Sequence, residues 1–180
     1  MKRKSGEQQT APAHTAGPDS PGLVVLSNTD VELSVAAVLA CLDAVFPGQF
    51  LPPRQQSNFV IDGEVEGVQF LLNSTVPGAS GLFLLHTVPG PYTLFSNFAA
   101  AIADSALRRI AVAQQCWLSI DLLTPPTAAH ARYSLIAPVL ARLSPADAAV
   151  LLHPSQLVAT AFTDEVRRRL TLGDPVVCPP

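Results

Sequence analysis

The chain of 180 residues is 48% apolar and only 14% charged, with a formal net charge of −3. That length suits one domain, and so apolar a composition excludes a largely disordered chain. The mild acidity argues against a dedicated nucleic-acid binder, which carries a basic excess.

Residues 1–22 hold Lys2, Arg3, Lys4, Glu7 and Asp19 among Gln, Thr, Ser, Pro and Gly, and read as a disordered N-terminal arm. Beyond them stand eight Arg and twelve acids but no lysine, and the 37 residues from Gly67 to Ala103 carry no Asp, Glu, Lys or Arg. Pro77, Gly78, Gly81, Pro89, Gly90 and Pro91 interrupt that stretch, so it is no membrane span. No apolar signal segment follows the basic start, and a soluble cytoplasmic protein is the expectation.

The apolar run Leu23–Leu26 predicts a buried strand. Thr29 and Glu32 fit a capping box, and Val31, Val35, Val38, Leu42 and Val45 recur on one helical face that Phe46-Pro47-Gly48 ends. Residues 58–62 and 67–73 read as two strands joined by an acidic turn, the second showing Gln69, Leu71 and Asn73 on one face. Another strand, Leu82 to Thr87, ends at Val88-Pro89-Gly90-Pro91.

Phe95, Phe98, Ile102, Ala106 and Ile110 predict the second helix, with Arg108 and Arg109 near its C-terminal end. In the strand from Gln115 to Leu122, Cys116, Leu118, Ile120 and Leu122 alternate with Gln115, Trp117, Ser119 and Asp121. Residues 128–143 are helical by composition, with Pro138 as a kink or restart, and Ser144-Pro145 resembles a new helix start. Val150 to His153 reads as a last buried strand, and Thr163-Asp164-Glu165 opens a final short helix ended near Gly173. The order β-α-β-β-β-α-β-α-β-α predicts an α+β domain over residues 23–176, with a mixed, mainly antiparallel sheet, helices on one face and a tail at 177–180.

Catalytic signatures are sparse. No P-loop or dinucleotide fingerprint is present, and the turn after the first strand is Ser27-Asn28-Thr29-Asp30. Ser80, in Gly78-Ala79-Ser80-Gly81, lacks the glycine spacing of a nucleophile elbow and reads as a turn residue. Cys41, Cys116 and Cys178 have no zinc spacing; the first two read as buried reduced thiols and the last as exposed. No metal or cofactor is expected.

His86, Asp121 and His153 all fall at strand ends, and their convergence at one sheet edge would give a general-base cluster. On a charge-poor sheet Trp117 reads as a binding anchor, with Leu71 on the least charged face. The run Arg167-Arg168-Arg169 beside Asp164 and Glu165 reads as a solvated helix face.

Gly81 to Tyr92, a helix, and then Cys116-Trp117-Leu118-Ser119-Ile120-Asp121 resemble an uncharacterised bacterial α+β domain family. In that family a strand ends in a Pro-containing turn and leads through a helix to a second core strand. Gln114, Gln115 and Cys116 stand where the family's second strand often opens with histidine and alanine, which counts against a metal site. Leu151-Leu152-His153-Pro154, Asp164-Glu165 and Gly173-Asp174-Pro175 are similar to its ending. The likeness spans most of residues 23–176 and implies a fold, not an activity. The expected function is protein–protein interaction, as an accessory or immunity-type partner or a dimer. A small hydrolase using the His86, Asp121 and His153 cluster is the alternative.

Overall fold

A computed structural model describes residues 22–31, 33–47, 60–62, 69–76, 79–92, 102–122 and 129–174. The arm before Gly22, the tail at 177–180, and Phe95 and Phe98 lie outside these residues. So do the side chains of Leu71 and His86, whose backbones are placed.

The elements run β1 (Gly22–Ser27), α1 (Val35–Val45), β2 (Val60–Asp62), β3 (Gln69–Val76), β4 (Ala79–Pro89), α2 (Ser105–Ala113) and β5 (Cys116–Leu122). They continue with α3 (Ala129–Leu143), β6 (Val150–His153), a 3₁₀ turn (Pro154–Gln156), β7 (Val158–Ala161) and α4 (Asp164–Thr171). The seven described strands form one sheet in the order β2-β3-β4-β5-β1-β6-β7, and each pairing among them is antiparallel. This is the α+β fold expected, with one strand, β7, added after β6.

Strand β1 is fully buried along its six residues, because helices cover both faces of the sheet beneath it. Leu23 and Val25 join Leu118, Ile120 and Leu151 in the larger core, against Val38 and Leu42 of α1, Ile136 and Leu140 of α3, and Val166 and Leu170 of α4. Val24 and Leu26 point the other way, with Val150 and Leu152, to meet Ala111 and Leu107 of α2. Three of the four described helices thus share the face expected, and α2 packs on the opposite one. A strand enclosed on both sides reads as a continuous apolar run, and Leu23-Val24-Val25-Leu26 is such a run.

The local start and stop signals hold in part. Helix α1 begins after Ser34, whose hydroxyl accepts from the Ala37 amide at 3.1 Å, so the predicted capping box at Thr29 does not form. Its buried face is nonetheless the predicted one, since Val38 and Leu42 are core and Val31 and Val45 pack beside them. Asp104 caps α2 through bonds from the Ala106 and Leu107 amides at 2.7 and 3.2 Å. Ile102 therefore precedes that helix, and the Arg108 guanidinium reaches back to the Ile102 carbonyl. Ser144 starts no helix: its amide and hydroxyl donate to the Leu140 carbonyl at 2.9 and 2.6 Å and close α3 instead. Ser80 pairs with Thr75 inside the β3–β4 hairpin rather than in a turn.

Candidate functional site

Backbone register sorts the candidate residues by face. Asp121 pairs with Gly22 and with Leu84, and Leu84 pairs with Leu71, so these four positions form one cross-strand row. Trp117 pairs with Leu26 and Val88, an even number of residues away along β5, so it shares that face. The α2 face therefore carries Leu71, Asp121 and Trp117 positions together. Across the described strands the Asp, Glu, Lys or Arg positions on it are Asp121 and, in the edge strand β2, Asp62, which pairs with Gln69.

His153 is on the other side. Leu152 pairs with Val24 on the α2 face, so the next residue along β6 must turn toward the larger core. There the imidazole is fully buried, its ring 5.7 Å from that of Tyr133 in α3. Neither ring nitrogen has a hydrogen-bond partner among the described residues, and burial pushes the pKa down to about 4. This neutral histidine is separated from Asp121 by the sheet itself. The expected meeting of His86, Asp121 and His153 is thus not made by the last two. The backbone of His86 pairs with Ser119, next to the Asp121 row.

The α2 face holds its own aromatic and acidic group. Tyr92, just past the Pro91 turn, meets Trp117 edge to face with ring centroids 5.2 Å apart and planes at 76°. Edge-to-face geometry lets the positive rim of one ring meet the negative face of the other. Both rings are half-buried, packed against the cluster of Val24, Leu26, Ile102 and Leu152. Burial raises the Asp121 carboxyl to about 6. It also lifts the Tyr92 phenol to about 12, with the Asp121 charge as the second cause.

Glycine at position 22 gives this carboxylate room, because a Cβ there would overlap Asp121 Oδ1. Strand alternation marks Trp117 and Asp121 in the sequence. Nothing periodic marks Tyr92, which follows a Pro-Gly-Pro turn.

The thiols and the arginine run are structural. Cys41 and Cys116 are buried and free, and burial raises both pKa values, that of Cys41 to about 11. Arg168 pairs with Glu165 at 2.7 Å, Arg169 with Asp174 at 2.8 Å, and Arg167 turns inward to three backbone carbonyls. Among the described residues no group of three His, Cys, Asp or Glu is placed to hold a metal ion. No described helix is long and apolar enough to cross a membrane. Comparison with protein-family models, curated proteins and solved structures gives no match for the chain.

Proposed function

We propose that the chain acts by binding a protein through the sheet face that carries Trp117 and the Leu71 position. The supporting observation is the composition of that face by register. Asp121 and Asp62 of the edge strand β2 are its only Asp, Glu, Lys or Arg positions among the described strands, and the Tyr92–Trp117 pair stands on it. Charge depletion with clustered aromatics is the composition of interface centres.

A second copy of the chain is the first partner to test, followed by a heterologous one that an accessory or immunity-type protein would block. The free, buried thiols Cys41 and Cys116 suit a reducing, cytoplasmic setting. The family resemblance is what favours a bacterial source.

Light scattering after size exclusion, repeated over a range of concentrations, tests self-association. Affinity capture followed by mass spectrometry, with wild type and Trp117→Ser side by side, tests a heterologous partner. A dimer, or one captured protein, that is lost in the Trp117→Ser variant while its fold is kept supports the reading. A strict monomer with no protein captured specifically by the wild type overturns it.

A further inference from the structure

On the opposite side of the molecule, the C-terminal ends of α1 and α4 meet the middle of α3 and leave a groove of about 290 Å³. Ligand pockets span roughly 300–1,000 Å³, so this volume, just below that range, limits an occupant to a small molecule. Its walls mix polar groups from Ser134 and Thr171 with apolar ones, Val45 and Phe46 from the end of α1, Pro138 from α3, and Leu172 just past α4. Leu172 is 73% exposed, the most exposed large hydrophobic side chain among the described residues.

Backbone chemistry shapes the groove. Pro138 has no N–H, so the carbonyl of Ser134, which also lines the groove, loses its usual helical donor. Gly173 takes a left-handed φ of 78°, and a Cβ there would lie 3.4 Å from the Ser134 carbonyl oxygen. Any larger residue would be strained in that conformation, although its Cβ would make only ordinary contact with the wall.

The single charge on the groove is Arg142, in the last turn of α3. It makes no ion pair and no side-chain hydrogen bond with a described residue, unlike Arg167, Arg168 and Arg169 close by. A guanidinium without an ion pair among the described residues, at the rim of a partly apolar groove, complements a ligand with an anionic head and an apolar body. The planar fork matches a carboxylate in particular.

We propose that this groove binds a small amphiphilic carboxylate, with the carboxylate on Arg142 and the apolar body against Phe46, Pro138 and Leu172. The site is separate from the Trp117 face and does not depend on its role. Octanoate is a suitable probe, with 1-octanol as the neutral control and acetate as the headgroup alone. Calorimetric titration of the full chain should show saturable octanoate binding, weaker octanol binding and none by acetate.

Arg142→Met keeps the aliphatic stem and removes the charge. It should weaken octanoate about tenfold, the worth of one charge-assisted hydrogen bond, and leave octanol unchanged. Leu172→Ser should weaken both. Backbone amide shifts on titration should centre on residues 134–142 and 171–173.

Absence of saturable octanoate binding overturns the proposal. So does equal affinity for octanol, or an Arg142→Met variant that binds octanoate as wild type does. Shifts centred on Trp117 would also overturn it. The same holds if octanoate binds only after residues 175–180 are removed, or only on dilution. Those outcomes would assign the groove to the chain's own tail or to a second copy.

Discussion

Asp121 and His153 sit on opposite faces of one sheet, and burial drives their proton affinities toward each other. The carboxyl rises from 3.8 to about 6 and the imidazole falls from 6.5 to about 4. Each is thereby held toward its neutral form, because a charge loses hydration when it is buried.

The two groups work against each other as pH changes. Asp121 has its folded pKa raised, so its penalty is absent below 3.8 and complete above about 6: it lowers stability as pH rises. His153 has its folded pKa depressed, so its penalty is absent above 6.5 and complete below about 4: it lowers stability as pH falls. Each full swing is on the order of 3 kcal/mol, so wild type should vary little between pH 4 and 6.5 on their account. Asp121→Asn should make stability rise with pH across that window and should stabilise the fold at pH 7. His153→Leu should make stability fall with pH. Urea denaturation at pH steps through the window reads both slopes, and slopes of equal sign in the two variants would refute the assignment.

Arg167 should matter far more than its two neighbours. Its guanidinium donates to the carbonyls of Ala141, Ser144 and Pro145 at 2.9, 2.9 and 2.7 Å, and lies 4.8 Å from the Phe162 ring centroid. Those carbonyls belong to the end of α3 and the turn after it, so the side chain ties α4 to them. Arg167→Ala should cost about 2–3 kcal/mol in urea denaturation, since charged hydrogen bonds and a ring contact are lost together. Arg167→Lys should recover only part, because an ammonium cannot reproduce the planar fork. Arg168→Ala, which breaks only the exposed pair with Glu165, should leave stability close to that of wild type.

What the sequence made legible follows from which signals are local. Alternation in Cys116–Leu122 assigned Leu118 and Ile120 to the core and Trp117 and Asp121 to the opposite face, because strand side chains alternate regardless of context. The unbroken apolar run of β1 marked a strand buried on both sides. Strand β7 was invisible, since Val158-Ala159-Thr160-Ala161 is short and weakly apolar, and its pairing with β6 is supplied by the 3₁₀ turn between them. The separation of Asp121 from His153 could not be read either. It depends on the register of β1 against both β5 and β6, which is set by three-dimensional pairing. The Arg142 groove is a meeting of three helix segments far apart in the chain, and no spacing announces it.

Asp147 should anchor the β1–α1 connection. One carboxylate oxygen accepts from the amides of Asn28 and Thr29 at 3.0 and 2.9 Å, holding the turn after β1 to the segment that leads into β6. Asp147→Ala leaves both amides without that acceptor and should cost about 1–2 kcal/mol, moderated by the exposure of the site to water. Asp147→Asn keeps an oxygen in place and should lose less. Hydrogen exchange distinguishes this from general destabilisation: the Asn28 and Thr29 amides should lose protection selectively in the alanine variant.

Thiol chemistry should separate the folded chain from the unfolded one. Cys41 is 5% exposed, its Sγ lies 3.8 Å from the Val139 carbonyl oxygen, and its pKa is raised to about 11. Cys116 is 7% exposed, with a pKa raised first by burial and then by the charge of Asp30. The thiolate is the nucleophile, so both sites are slow to react for two reasons at once, access and ionisation. In a Cys178→Ser variant, a disulfide reagent such as Ellman's should therefore find no fast thiol at pH 7.5 in the native state and both after unfolding in urea. Rapid native labelling at Cys41 would mean that α1 opens from α3 on the timescale of the reagent, and rapid labelling at Cys116 that β5 opens from the loop after β1.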